Sequence, residues 1–184
     1  RVTRHPHGRR CRFLWVGGWP GTADHTRFHR LVARLGLRSV VRHVPHVSDP
    51  RPFLALFDLL FLSSRSDTFP LVSLESASLS HAPLICFAGS GGACELVAES
   101  AGFCEPPGDL DAVARRILQL VEDDSLRRAT GDAMAQVVRQ RHDVSAVAPR
   151  ILQLIETAGG SAQPAEAELS GLLTPFSRTK SLTT

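Results

Sequence analysis

Two carboxylates lie close together in the stretch "DTFPLVSLESASLSHAPLICFAGSGGACELV", residues 67–97. Asp67 falls in a loop before an expected helix, and Glu75 falls in the second turn of that helix. Two chemical roles are open to such a pair: proton transfer, which needs shifted pKa values, or the binding of vicinal hydroxyls. A carboxylate has only acceptors and a diol offers two donors, so the second role suits a ribose or a hexose. A structural interpretation, with Asp67 as a helix cap and Glu75 as a surface residue, is also open at this point.

The same stretch contains a glycine loop between an apolar strand and a second expected helix. The loop residues are Gly89, Ser90, Gly91 and Gly92. Glycines place no Cβ in the path of a ligand, and free amides at the start of a helix favour negative charge. A turn alone would explain one glycine, but three in four positions favour contact with an anion.

An earlier glycine pair, Gly17 and Gly18, follows the first expected strand and precedes a helix, where a phosphate-binding loop would lie. Together with Gly21 the spacing is GGxxG, which differs from the GxGxxG of dinucleotide-binding proteins. No acid ends the second strand, where a ribose-binding carboxylate is expected. Arg42 stands there, and it could bind the 2′-phosphate of NADP. The loop is therefore either a ligand loop or an ordinary turn.

Histidines and cysteines do not form a recognisable metal motif in the sequence. His25 and His29 are four residues apart and His43 lies near His46, but no HExxH pattern or cysteine partner completes a set. We therefore expect no metal site. Three of the four cysteines lie in or beside apolar runs and no CxxC spacing occurs, which favours buried free thiols. The cysteines are Cys11, Cys86, Cys94 and Cys104.

Strands and helices are expected to alternate along the chain. Short apolar strands are predicted at "CRFLWV", "SVVRHV", "LLFLSS", "PLICF" and "GFCE", with helices between them. In the first helix Phe28 and Val32 have helical spacing, Thr22 or Asp24 can cap the start, and Gly36 can end it. Alternating apolar strands and helices predict an α/β fold with a doubly wound parallel sheet that helices cover on both faces.

The C-terminal part is predicted to be helical as far as residue 157. Pro149 interrupts the last helical pattern, so the helix either begins there or is kinked. Residues 1–157 are predicted to form one domain. Residues 158–184 are rich in Gly, Ser, Ala, Thr and Pro without periodicity, which is typical of a disordered tail.

Composition and charge limit the classes of protein to which this chain can belong. The chain has 184 residues, 43% of them hydrophobic, which suits one compact domain. The net charge of +3 combines about +9 in residues 1–46 with about −6 in the remainder. We expect no nucleic-acid partner, because neither a basic helix nor interleaved aromatic residues occur. The sequence opens with Arg1 and has no signal-peptide pattern, so we expect an excerpt of a longer cytoplasmic protein.

Residues 13–156 resemble the C-terminal, nucleotide-sugar-binding domain of the glycosyltransferases group 1 family. The resemblance rests on "FLWVGG", "LLFLSSRSDTFPLVSLESAS", "APLICFAGSGGACELV" and "AGFCEPPGDLDAVARRILQLVEDD", in that order. It implies a Rossmann-like doubly wound sheet with C-terminal helices, one half of the GT-B architecture of these retaining enzymes. The acids would then meet sugar hydroxyls, and the glycine amides would meet a diphosphate.

The resemblance implies a role for each matching residue. Glu75 matches the acid that binds the nucleotide ribose. Asp67 matches the acid near the donor sugar, where many members have Glu, and it is the catalytic candidate. The remaining residues of the expected donor site are Phe69, Pro70, Leu71, Val72, Gly89, Ser90, Gly91, Gly92, Gly17, Gly18 and Arg42.

The implied function is donor binding for sugar transfer from a UDP- or GDP-linked sugar to a hydroxyl acceptor, with retention at the anomeric carbon. No cofactor and no metal are implied beyond the nucleotide-sugar substrate. The expected partner is an N-terminal acceptor domain of the same protein. The family's diphosphate-neutralising Arg and Lys would lie upstream of Arg1, so we expect little or no turnover by this chain alone. Its arginine-rich start would face that domain or anionic lipid, as a peripheral contact at the inner face of the membrane.

Three alternatives stay open from the sequence. The same architecture could serve a nucleotide-sugar epimerase or a glycosyl phosphorylase. The "WVGGWPG" segment and Arg42 leave room for an NADP-dependent oxidoreductase domain. The shorter acid at position 67 also fits a non-catalytic nucleotide-sugar-binding module.

Overall fold

The computed structural model describes residues 1–159, in which strands and helices alternate as expected. The strands are Phe13–Val16 (β1), Val41–Val44 (β2), Leu60–Phe61 (β3), Leu84–Phe87 (β4) and Phe103–Glu105 (β5). The helices are Ala23–Arg34 (α1), Arg51–Leu54 (α2), Leu71–Ser80 (α3), Gly92–Glu99 (α4), Leu110–Glu122 (α5), Asp124–Arg141 (α6) and Val144–Gly159 (α7). Two short 3-10 helices, Val2–Arg4 and His7–Arg10, precede β1.

All strand pairs are parallel, as the apolar strand pattern predicts. The strands form two sheets instead of one continuous sheet: β1 pairs with β2, and β4 lies between β3 and β5. The sequence predicts strand identity but not which strands become neighbours, since pairing depends on contacts distant in the chain. Within each sheet the carboxyl ends of the parallel strands lie at the same edge, and the loops that contain Gly17, Asp67 and Gly91 begin there.

Strand β4 is the central strand of the larger sheet, and every one of its residues is buried. Leu84 and Cys86 join a core cluster with α3, α4 and α6, while Ile85 and Phe87 join a second cluster with α5. Successive side chains of a strand point to opposite faces, so this alternation puts helices on both sides of the sheet. The α/β class with helices on both faces is thereby confirmed.

The ends of α1 follow the predicted signals. Thr22 is the N-cap, and its Oγ1 accepts a hydrogen bond from the His25 amide at 3.2 Å. Gly36 follows the helix with a φ of +69°, a left-handed conformation that glycine adopts without strain. Phe28 packs edge-on against Trp15 of β1, with ring centroids 4.5 Å apart. Helix α1 is thus anchored on the two-stranded sheet.

Helices α5 and α6 also begin with side-chain caps. Asp109 accepts hydrogen bonds from the amides of Asp111 at 3.0 Å and Ala112 at 2.9 Å. The bond from Ala112 is the main reason why the pKa of Asp109 is lowered. Asp123 accepts from the Leu126 amide at 2.8 Å. Each of these starts therefore has a carboxylate occupying its free amides.

Helix α6 crosses the end of α3 at very close range. α3 ends at His81, which has a φ of +52°, and its carbonyl points at Gly131 of α6. A Cβ at Gly131 would lie 1.7 Å from the His81 oxygen. Glycine is required here by packing, because the helix conformation at residue 131 is ordinary.

The chain divides into two compact units, Arg1–Asp143 and a second that begins at Val144. Helix α7 runs through Pro149, so the alternative in which the helix begins at that proline is wrong. The expected tail, residues 158–184, starts in the last residues of α7 and otherwise lies outside the described residues. Among residues 1–159, no helix combines the length and the apolar character needed to traverse a bilayer.

Candidate functional site

The loop of Asp67 and the glycine loop lie side by side beyond β3 and β4. The Asp67 amide donates to the Ser90 carbonyl at 2.8 Å, and Asp67 and Gly91 form an isolated parallel bridge. The Gly92 amide donates to the carbonyls of Thr68 at 3.1 Å and Asp67 at 3.3 Å. Two segments more than twenty residues apart in sequence therefore form one continuous wall, as the position of both at strand ends predicts.

Two glycines are required by this close approach. Gly91 has a φ of +102°, and a Cβ there would lie 2.0 Å from the Asp67 carbonyl oxygen. At Gly92 a Cβ would lie 2.4 Å from Cδ2 of Phe69 and 2.5 Å from the Thr68 oxygen. Gly89, with a φ of +73°, has open space around it. Packing of loop against loop thus explains Gly91 and Gly92, a reason that the sequence pattern does not reveal.

The glycine loop is only partly available to a ligand through its amides. Hydrogen bonds to the acid loop occupy the Gly92 amide, and the Ser90 amide donates to the Phe87 carbonyl at 3.2 Å. Ser90 is 2% exposed and its Oγ lies 3.7 Å from the Cys94 sulfur. The interpretation of all four residues as a row of bare amides is therefore too simple: Ser90 faces inward, and Gly92 holds the loops together.

The starts of α3 and α4 have no side-chain cap, unlike the starts of α1, α5 and α6. No side chain caps α3, whose N-cap is Pro70, or α4, whose N-cap is Gly91. The bonds between the two loops hold these starts next to each other. The positive ends of two helix dipoles therefore meet in one place, which is an environment suited to an anion.

The residues around the α3 start divide between core and surface. Phe69 packs on Gly92 and lies 5.5 Å from the His142 ring, while Val72 packs against the core. The carbonyl of Pro70 accepts from the amide and the Oγ of Ser73 at 3.0 and 2.6 Å, and Leu71 is exposed. Pro70 is the N-cap residue and directly precedes the first helical turn. A ligand here would meet backbone amides more than side chains.

Neither acid side chain has a partner in the part of the chain that the structure describes. Glu75 is exposed in the second turn of α3, as predicted, and Asp67 is half-buried in the loop before it. Within residues 1–159, neither carboxylate forms a hydrogen bond or an ion pair. Asp67 is not the cap of α3, so that part of the structural interpretation is wrong, whereas Glu75 does lie at the surface. Two free acceptor groups therefore accompany the paired helix starts.

The Gly17 loop belongs to the other sheet. The Gly17 amide donates to the Val44 carbonyl at 2.9 Å, and the Gly18 carbonyl accepts from the His46 amide at 3.0 Å. Arg42 is an exposed residue within β2, paired with Leu14, and does not stand at the strand end. The expectation that Arg42 replaces the terminal ribose-binding acid is wrong, because the strand continues to Val44.

A cysteine cluster behind the glycine loop was not apparent from the sequence. Cys86 of β4 lies 3.4 Å from Cys104 of β5 and 3.8 Å from Cys94 of α4, measured between sulfurs. Burial raises the pKa of Cys86; burial also acts to raise that of Cys94, but hydrogen bonds from Cys104 and Ser90 outweigh it and lower that pKa. All four cysteines are free, but only Cys86 is buried, so the expected burial is wrong for the exposed Cys104 and incomplete for Cys11 and Cys94.

Curated relatives match the chain over part of their length. It is 32% identical over 115 residues to the lipopolysaccharide core biosynthesis glycosyltransferase LpsE of Rhizobium meliloti, covering 62% of this chain and 33% of LpsE. It is 32% identical over 88 residues to the capsular polysaccharide biosynthesis glycosyltransferase CapM of Staphylococcus aureus, covering 48% and 23%. The chain thus spans a third or less of these relatives.

Solved structures show the same architecture. The crystal structure of Anabaena HepE in complex with UDP matches with a TM-score of 0.74 and 25% identity, covering 85% of this chain and 43% of HepE. HepE has also been solved with UDP-glucose, with a TM-score of 0.70 to this chain. The sequence model of the family "Glycosyl transferases group 1" matches residues 6–137. By this match over most of its length, the chain belongs to the glycosyl transferases group 1 family.

Proposed function

We propose that this chain is the donor-binding domain of a retaining glycosyltransferase, which holds a nucleoside-diphosphate sugar for transfer to a hydroxyl acceptor. The observation that carries the proposal is the meeting of two uncapped helix starts beside Asp67, with Glu75 in the second turn of one of these helices and neither carboxylate paired within residues 1–159. A nucleotide sugar has both matching parts, a diphosphate and vicinal hydroxyls. HepE, which has the same fold, was solved with UDP and with UDP-glucose.

The chemistry follows from the charges that develop during transfer. When the anomeric bond breaks, negative charge accumulates on the leaving diphosphate. Amides and dipoles at the starts of α3 and α4 are fixed in place, so they stabilise that charge without reorganising. Glu75 is assigned to the ribose hydroxyls and Asp67 to the donor sugar, because carboxylates accept hydrogen bonds from diols. In this proposal helix amides serve the diphosphate, and no metal takes part at this site.

Acceptor binding is assigned to the part of the relatives that this chain does not span. The chain covers 43% of HepE and 33% of LpsE, so the complete site needs more protein. In the same proposal the parent protein is cytoplasmic, and the arginine-rich start of the chain meets either that remaining part or anionic lipid at the membrane face.

A ligand panel tests donor recognition by the 184-residue chain. We expect chemical-shift changes that saturate with UDP or GDP and cluster at residues 67–75 and 89–93 in an NMR titration. Saturation by NADPH without a response to any nucleoside diphosphate would support the oxidoreductase alternative. Shifts confined to the Gly17 loop would contradict the assigned site.

Turnover provides a separate prediction. With a radiolabelled UDP-sugar, the chain alone is expected to release little or no sugar to an acceptor or to water, because it supplies only the donor side. Steady transfer by the isolated chain would refute the proposal that it supplies only the donor side of the site. Conversion of the donor sugar to its epimer without an acceptor would favour the epimerase alternative.

Substitution Glu75→Gln is expected to weaken nucleotide binding about tenfold or more, since it replaces a charged acceptor of hydroxyl hydrogen bonds by a neutral amide. Dissociation constants for UDP, measured by NMR titration, check this expectation. The matched control is Glu156→Gln, which changes an exposed glutamate of α7. Equal affinities of Glu75→Gln and the unchanged chain would remove Glu75 from the site.

A further inference from the structure

Three histidines that are separated in the sequence meet on the smaller sheet. His25 and His29 lie one turn apart on α1, and His43 lies on β2. Their available ring nitrogens all lie within 4.8 Å of one another, and Nε2 of His29 is 3.4 Å from Nδ1 of His43. The sequence pattern pairs His43 with His46 instead, so it predicts no such group.

The strand histidine is held in one orientation by the backbone. Nε2 of His43 lies 2.7 Å from the carbonyl oxygen of Gly17. A carbonyl can only accept, so this nitrogen carries the hydrogen and Nδ1 presents a lone pair to the other two rings. A backbone carbonyl that fixes the tautomer in this way is the usual support of a metal-binding imidazole.

The three rings pack closely against one another. The ring centroid of His25 lies 4.4 Å from that of His29 and 5.1 Å from that of His43. The neutral imidazole is the form that binds metal, and a single ion among these rings could be reached by all three.

We propose that His25, His29 and His43 bind a divalent ion of the zinc class, with its fourth position open to water. Metal–nitrogen bonds of 2.0–2.1 Å at tetrahedral angles place ligand atoms about 3.3 Å apart, close to the His29–His43 separation of 3.4 Å. Bound metal would join α1 to β2 and, through His43, to the Gly17 turn. A two-stranded sheet has few contacts of its own, so a metal cross-link between α1 and β2 would stabilise it.

The cysteine cluster is the competing site on this chain. Cys86, Cys94 and Cys104 also present three ligand atoms within 4.8 Å of one another. Cys86 is completely buried, and burial disfavours the thiolate that a metal requires. Neutral histidines need no such ionisation, so the proposal assigns the ion to them, and the variant Cys94→Ser tests the cysteine cluster as the alternative.

Metal titration of the chelator-treated 184-residue chain tests the proposal. We expect one equivalent of Zn²⁺ or Co²⁺ to bind, with visible tetrahedral Co²⁺ absorption and an increase in the thermal unfolding midpoint on adding Zn²⁺. His29→Gln and His25→Gln should each weaken binding at least tenfold. The matched control His81→Gln, an exposed histidine paired with Asp132, should bind as the unchanged chain does, and so should Cys94→Ser.

An NMR measurement of zinc binding to the unchanged chain does not depend on how the variants fold. Zinc should shift the ring nitrogen signals of three histidines in an NMR spectrum that resolves Nδ1 and Nε2. Binding that Cys94→Ser abolishes, or that His29→Gln leaves intact, would overturn the proposal. Absence of zinc binding, with a hydrogen bond between His29 and His43 visible instead, would also overturn it. UDP binding plays no part in these outcomes, so this site and the donor site are tested separately.

Discussion

Replacing Gly92 with alanine is expected to weaken UDP binding by at least about tenfold and to lower the free energy of unfolding by about 1–3 kcal/mol. The new Cβ would lie 2.4 Å from the Phe69 ring and 2.5 Å from the Thr68 oxygen, so the acid loop must move away. That movement would break the bonds from the Gly92 amide to Thr68 and Asp67. The start of α3, Asp67 and the glycine loop would then lose their common arrangement.

NMR titration with UDP and urea unfolding of the same variant measure the two effects. Gly108→Ala is the control: it lies before α5 with a φ of +73° and nothing within 4 Å of the added Cβ. It should lose some stability through backbone strain, about 1–2 kcal/mol, and keep its affinity for UDP. If Gly92→Ala bound UDP as well as the control does, the contact between the two loops would not matter for the ligand.

Substitution Gly131→Ala is expected to destabilise the protein at a position outside the donor site. Its Cβ would meet the backbone oxygen of His81 at 1.7 Å and the backbone carbon at 2.8 Å, so α6 must separate from the end of α3. Overpacking of this kind costs about 3 kcal/mol, and the better helix propensity of alanine offsets about 1 kcal/mol of it. The net loss of about 2 kcal/mol should lower the unfolding temperature by about 4–8 °C.

Thermal unfolding followed by circular dichroism checks this expectation. Ala129→Ser, an exposed change on the same helix, should alter stability by less than about 0.5 kcal/mol. At a temperature where Gly131→Ala is still folded, its UDP affinity should be unchanged, because the proposed donor site lies at the other end of α3. Unaltered stability would mean that α6 does not lie against His81.

The local features of the fold were predictable because their causes are local. Thr22 and Gly36 are cap signals for a helix with apolar residues at regular spacing, and both are confirmed. The apolar run of β4 predicts a strand buried on both faces, which the two core clusters confirm. Alternation of such strands with helices was enough to predict parallel pairing.

Features that depend on distant contacts were not predictable in the same way. Sequence spacing indicated a glycine-rich ligand loop, but the need for Gly92 arises from Phe69 and Thr68, which only the fold brings near. The histidine group was not predicted, because the sequence shows no HExxH pattern or cysteine partner and only the fold brings His43 of β2 to His25 and His29 of α1. Arg42 was expected at the end of β2 but lies within the strand, because the end of a short strand is hard to locate from residue types alone.

The bridge between Asp67 and Gly91 has a consequence for how this protein can diversify. Since the segment assigned to the sugar in the proposed function and the segment assigned to the phosphates share backbone bonds, neither can be exchanged alone without displacing the other. Mutations that alter preference for the donor should therefore arise as correlated pairs across both segments. Changing the donor specificity of this domain to that of a relative would require replacing residues 67–72 and 88–92 together.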